Sequence, residues 1–122
     1  MLPRRVLFAC LWAALTVSTA WAEARLEVTG GDDDLRDEIA GASILLRDEG
    51  APDLPADVIA VARAEYGRLL AVLYDQGYFA GVISIRIDGR EAAQISPFAA
   101  PAAISDIAIR VEPGARFTLG TA

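Results

Sequence analysis

Three adjacent acids, Asp32, Asp33 and Asp34, form the densest group of potential ligands in the chain. A calcium loop needs oxygen ligands at alternating positions and a later bidentate acid. These three instead lead straight into a helical pattern, so they predict a helix start, one acid as N-cap and the others at the positive end of the dipole. The other acids fall mostly at helix starts, turns or the polar side of amphipathic segments, which argues against a paired general acid and base. There is no histidine, which removes the usual nucleophilic triad, and Ser43, Ser84, Ser96 and Ser105 have no motif around them. Gly30-Gly31 lacks the spaced glycines and the lysine of a phosphate loop. Tyr66, Tyr74, Tyr78 and Phe79 offer either a ligand surface or, as the spacing favours, core side chains with the remainder covering a helix–strand corner. The residues predict no catalytic group, no cofactor and no metal site. What they leave is backbone chemistry, the hydrogen-bonding edge of a small sheet.

The elements that would carry such an edge are readable from periodicity. Arg25 to Thr29 predicts a short strand with Leu26 and Val28 on one side, broken by Gly30-Gly31. Leu35, Ile39, Ala42 and Leu46 share one helical stripe, predicting a first helix from about Asp33 to Arg47. A second helix is predicted from Asp53 or Leu54 to about Gln76, with Pro55 in its first turn and Val58, Ala62, Tyr66, Leu69 and Leu73 facing inward. Gly77 stands where a left-handed C-cap would end it. From Tyr78 to Asp88 the pattern alternates, with Phe79, Gly81, Ile83, Ile85 and Ile87 on one side, and Asp88-Gly89 signals a turn. Glu91 to Ala103, with Pro97 and Pro101, predicts a packed loop, opening on a short strand extension at Arg90 to Ala93. Ile107, Ile109 and Val111 alternate as a third strand, Pro113-Gly114 turns the chain, and Arg116 to Leu119 is extended. The predicted order is β-α-α-β-β, an α+β fold with two helices on one face of a three-stranded mixed sheet. Within the strand Tyr78 to Asp88 only Arg86 and Asp88 are charged and there is no proline. Its edge is therefore either open to another chain or covered by the Glu91 to Ala103 loop.

The ends and the charge bound the setting. Arg4-Arg5, an apolar run from Val6 to Val17 and Ala20-Trp21-Ala22 have the form of a secretory leader, with cleavage expected before Glu23. A twin-arginine signal and a lipoprotein site at Cys10 fit less well, because the residues after the arginines and the early position of the cysteine are wrong for them. The domain expected at 23–122 keeps all 17 acids and nine arginines, a net charge of −8, and contains neither lysine nor cysteine. Such acidity argues against nucleic acid or an anionic membrane surface as partner. Without a cysteine, stability must come from packing alone.

Three segments together carry a resemblance: R-L-x-V-x-G at Arg25 to Gly30, L-Y-x-x-G-Y-F at Leu73 to Phe79, and V-x-P-G-x-R-F-x-L-G at Val111 to Gly120. With the export leader and the element order, the chain resembles a polypeptide-transport-associated (POTRA) domain of the BamA/TamA superfamily. In particular it resembles the first such domain of the TamA family, the outer-membrane subunit of the translocation and assembly module. The resemblance implies that the second strand lies at the sheet edge and receives a partner by strand addition. It implies a docking edge at Ala80, Val82, Ile83, Ser84, Ile85 and Ile87, beside a groove lined by Tyr74 and Tyr78. The implied partners are a TamB-like protein anchored in the inner membrane and unfolded outer-membrane protein clients, met in the periplasm. The family protein continues into further such domains and a membrane barrel, none within Met1 to Ala122, so the expected role is binding without insertion. The competing expectation is a free-standing secreted structural or inhibitor-like domain.

Overall fold

The acids at 32–34 start a helix as their spacing predicts. In the computed structural model, which describes residues 23–117, the Asp32 carboxylate accepts the Leu35 N–H at 2.9 Å and Asp33 and Asp34 occupy the first turn. The elements are β1 (Ala24–Val28), α1 (Asp33–Ala42), α2 (Pro55–Asp75), β2 (Val82–Ile87), β3 (Arg90–Glu91) and β4 (Ile107–Glu112). Short 3-10 turns at Ala92–Gln94 and Pro97–Ala99 lie between β3 and β4. The fold is α+β, with a mixed sheet in the order β1-β4-β2-β3. β1 runs parallel to β4 (Leu26 opposite Ile109), and β4 runs antiparallel to β2 (Ile109 opposite Ile85). The leader at 1–22 and the final residues 118–122 lie outside the described residues.

The helix ends explain two departures from the sequence pattern. Helix α1 stops at Ala42, not near Arg47, because the next free donor is taken by another element. The Ile44 N–H donates to the carboxylate of Glu65 at 2.8 Å, and Glu65 is fully buried on α2. The turn that follows buries Leu45 and leaves Leu46 half-buried, a one-residue shift from the expected stripe. Helix α2 ends in a Schellman motif: Gly77 N–H donates to Tyr74 O at 3.0 Å and Tyr78 N–H to Leu73 O at 2.8 Å. Gly77 has φ +89°, and a Cβ there would lie 2.7 Å from the Phe117 carbonyl oxygen. Because Tyr78 still belongs to this cap, β2 begins only at Val82.

One face of the sheet is the core. Ile85, Ile87, Ile107, Ile109 and Val111 pack with Leu35 and Ile39 of α1 and with Val58, Ile59, Ala62, Leu69 and Leu73 of α2. Each large aliphatic side chain so buried contributes about 2 kcal/mol. The sheet has four strands where three were expected. Asp88 (φ 49°) and Gly89 (φ 81°) make a two-residue primed turn, which folds Arg90 and Glu91 back onto Ile87 and Arg86. The rest of the Glu91 to Ala103 segment packs through Ala92 and Ile95, both buried.

Candidate functional site

Backbone parity decides which groups the sheet offers outward. The Asp88 N–H donates to Asp106 O at 2.9 Å, so the even-numbered residues of β2 bond to β4. Ile83, Ile85 and Ile87 therefore turn their N–H and C=O groups to the outer side. On that side β3 pairs only with Arg86 and Ile87.

Ile85 is covered differently, by side chains. The Tyr66 hydroxyl lies 3.2 Å from Ile85 O and 2.7 Å from Glu91 Oε2, and it accepts the Ala93 N–H at 3.3 Å. A phenol has one proton to donate, and the shorter contact, to the carboxylate, takes the larger share. Ser84 Oγ donates to the other oxygen of Glu91, and Arg86 Nε lies 3.5 Å from it. Burial and then the Glu91 carboxylate push the Tyr66 hydroxyl pKa above its ordinary value. Burial tends to raise the Glu91 pKa, but hydrogen bonds from Ser84 and Tyr66, with the Ile85 backbone and Arg86, outweigh it and hold the carboxyl below its ordinary range. Tyr66 and Glu91 thus form a clasp over Ile85. Among the described residues, Ile83 is the outward-facing residue of β2 with neither a strand neighbour on that side nor a side chain hydrogen-bonded to its backbone.

Next to this short opening lies an exposed aromatic patch. The Tyr74 and Phe79 rings are 5.7 Å apart, and Phe79 is 6.0 Å from Phe117; all three are about half exposed or more. The patch is held by the segment after β4. Phe117 N–H donates to Gly77 O at 2.8 Å and Arg116 Nε to Gln76 O at 3.0 Å.

The residues implied by the resemblance divide accordingly. Tyr74, Ala80 and Val82 are exposed, and Ile83 and Ser84 are half-buried. Ile85 and Ile87 point into the core, and their outward backbone groups meet the clasp and β3. Tyr78 lines no groove: it is 5% exposed, in the core, with the Arg116 guanidinium 5.9 Å over its ring. Glu91, Tyr66 as a polar cap, and Phe117 were not legible as site residues. Phe79, which shares its alternation with Ile83, Ile85 and Ile87 in the sequence, is 58% exposed because it lies before β2 begins.

The opposite edge belongs to β1, which has β4 on one side and no strand on the other among the described residues. The Thr29 N–H donates to Val111 O at 2.9 Å, so Ala24, Leu26 and Val28 turn their backbone groups outward. Among the described residues, the Arg36 guanidinium is the one side chain hydrogen-bonded to them, 3.5 Å from Leu26 O. The sheet face away from the helices is a shallow trough of about 610 Å³, with Arg25 and Arg86 on either side of Ala108 and Arg110 between Glu27 and Ser84.

Among the described residues no group of three or more histidine, cysteine or acidic side chains converges on a point that would hold a metal. No described helix is long and apolar enough to cross a membrane. No family model, curated protein or solved structure matches the chain.

Proposed function

We propose that the chain is a periplasmic protein-binding module of the POTRA kind, part of an outer-membrane assembly factor. It receives an extended segment of a TamB-like partner, or of an unfolded outer-membrane client, on the outer edge of β2. It works by strand addition and shape, without catalysis or cofactor. The observation that carries this reading is the backbone of Ile83, open among the described residues, beside the exposed Tyr74–Phe79–Phe117 patch. An extended peptide bonded there satisfies both polar groups of Ile83 and lays a side chain on the aromatic rings. The export leader and the terminal motifs agree with the setting. The free-standing alternative draws on one feature, the Tyr66–Glu91 clasp, since side chains that cap a strand edge also serve to keep other chains away.

The test is calorimetric titration of the exported, processed chain with the periplasmic C-terminal part of a cognate TamB-like protein. Ile83→Pro is the informative variant. The Ile83 N–H points away from β4, so proline there leaves the β2–β4 ladder intact while deleting the outward donor. Binding by the native chain, weakened about tenfold or more (~1.4 kcal/mol) in Ile83→Pro at an unchanged fold, is expected. Absence of binding by the native chain contradicts the reading.

A further inference from the structure

The β1 edge has a property that the β2 edge lacks: its sequence complements itself. β1 reads Ala24-Arg25-Leu26-Glu27-Val28, with the apolar residues half-buried on the helix side and the two charges on the open face. If a second β1 is laid antiparallel with Leu26 opposite Leu26, Arg25 falls opposite Glu27 of the second copy and Glu27 opposite its Arg25. Ala24 and Val28 then face each other across the same strand pair.

The backbone is in phase with this register. Ala24, Leu26 and Val28 are the residues whose N–H and C=O groups point outward, and the register pairs them only with one another. Such pairs are the doubly hydrogen-bonded kind, giving about six ladder bonds along the five-residue strand. The arrangement has two-fold symmetry, so one patch serves both copies.

Charge on the open face continues through the junction. Within one chain Glu27 pairs with Arg110 at 3.2 Å and Arg25 with Asp106 at 2.9 Å. In the paired edges these become a row of alternating sign: Arg110, Glu27, then Arg25 and Asp106 of the second copy. We propose that β1 is a self-recognition edge, and that two copies of this chain associate through antiparallel β1 pairing into one continuous sheet. Arg36, the one described side chain hydrogen-bonded to an outward carbonyl, is exposed, so moving it aside gives up no core contact. A single strand pair covers less area than the ~1,200 Å² at the lower end of stable interfaces, so the association is weak and governed by concentration. This inference concerns the edge opposite β2 and is independent of the proposed partner.

The experiment is sedimentation equilibrium on the exported, processed chain up to about 1 mM, the range where weak pairs are populated. It compares the native protein with Arg25→Glu and Glu27→Arg, first singly and then mixed in equal amounts. Both side chains are well exposed, and circular dichroism checks that each variant keeps the fold. The native chain is expected to dimerise. Each variant alone places like charges opposite one another twice and is expected to weaken dimerisation about tenfold. The mixture restores opposite charges at every position and is expected to recover native association. A native chain that stays monomeric throughout overturns the proposal. So does association that the single variants leave unchanged, or a mixture that associates no better than its parts. These last two results assign the contact to another surface or another protein.

Discussion

The two edges of this sheet are protected in different ways. On the β2 side the protection is specific and local: the Asp88-Gly89 turn supplies two residues of strand, and the Tyr66–Glu91 clasp covers Ile85. Among the described residues, what remains open there is Ile83, beside three exposed aromatic rings. On the β1 side five residues run without a strand neighbour among the described residues, and the deterrents there are two exposed charges and the Arg36 guanidinium. A hydrogen-bonded clasp restricts where another strand can join. A charge pattern restricts which strand can join, because a complementary strand meets attraction where others meet repulsion. Edge exposure by length alone would rank β1 as the partner site, whereas the chemistry around each edge separates a short apolar acceptor from a long charged one.

The largest effect is expected at the corner that organises the β2 side. Gly77→Val forces a β-branched residue to φ +89° and drives its Cβ to within 2.7 Å of Phe117 O. A loss of ~2–4 kcal/mol is expected in denaturant unfolding, together with release of the Phe117 segment from the aromatic patch. A stability within ~0.5 kcal/mol of native would show that the Schellman cap does not organise this corner.

Next in size is Tyr66→Phe, which leaves Ile85 O, the Ala93 N–H and Glu91 without the phenol. A loss of ~1–2 kcal/mol is expected, with faster hydrogen exchange confined to Ile85 and its neighbours in β3. If the clasp limits strand addition, this variant also lengthens the stretch of β2 that a bound partner protects. Unchanged exchange at Ile85 would mean that the hydroxyl does not guard the edge.

Acid acts on the same group more gently. The Glu91 carboxyl is held below its ordinary pKa of 4.5 in the folded chain, so its stabilising contribution is full above that value. It is lost as the pH falls through the lower folded-state value. Glu91→Gln is expected to remove that part of the acid dependence; an identical acid profile for the two proteins would place the titrating group elsewhere.

The smallest effects belong to β1. Arg25→Glu and Glu27→Arg each break one exposed ion pair and are expected to change monomer stability by under ~1 kcal/mol, read by thermal unfolding at low concentration. A larger loss would mean that these charges hold the fold together and are not reserved for the edge.

How far the sequence could reach depends on the range of the interaction. Local signals were faithful. The Asp32 cap, the start of α2 at Pro55, the Gly77 terminus and the Asp88-Gly89 turn each depend on residues a few positions apart. Strand alternation also identified β2 and β4, and hence the α+β class. Contacts between distant residues were not readable. Helix α1 is cut short by Glu65, some twenty residues further on, and nothing in the stripe Leu35, Ile39, Ala42, Leu46 signals that. The spacing left open whether Tyr78 was core or covered the helix–strand corner, and the resemblance implied a groove residue, but the Schellman cap turns it inward. Glu91 looked like the start of a loop; its role needs Tyr66 from α2 and Ser84 from β2 in the same place. Which backbone groups point outward follows from the pairing parity of whole strands, and periodicity of side chains carries no record of it.

The most direct test is a pair of amide NMR series on one sample of residues 23–122, first concentrated alone and then titrated with the TamB-like C-terminal fragment. Concentration is predicted to move the resonances of Ala24 to Val28, and the partner those of Tyr74, Phe79 and Val82 to Ser84. Shifts from both series on the same edge, or a partner that moves neither edge, would contradict the division of roles between β1 and β2.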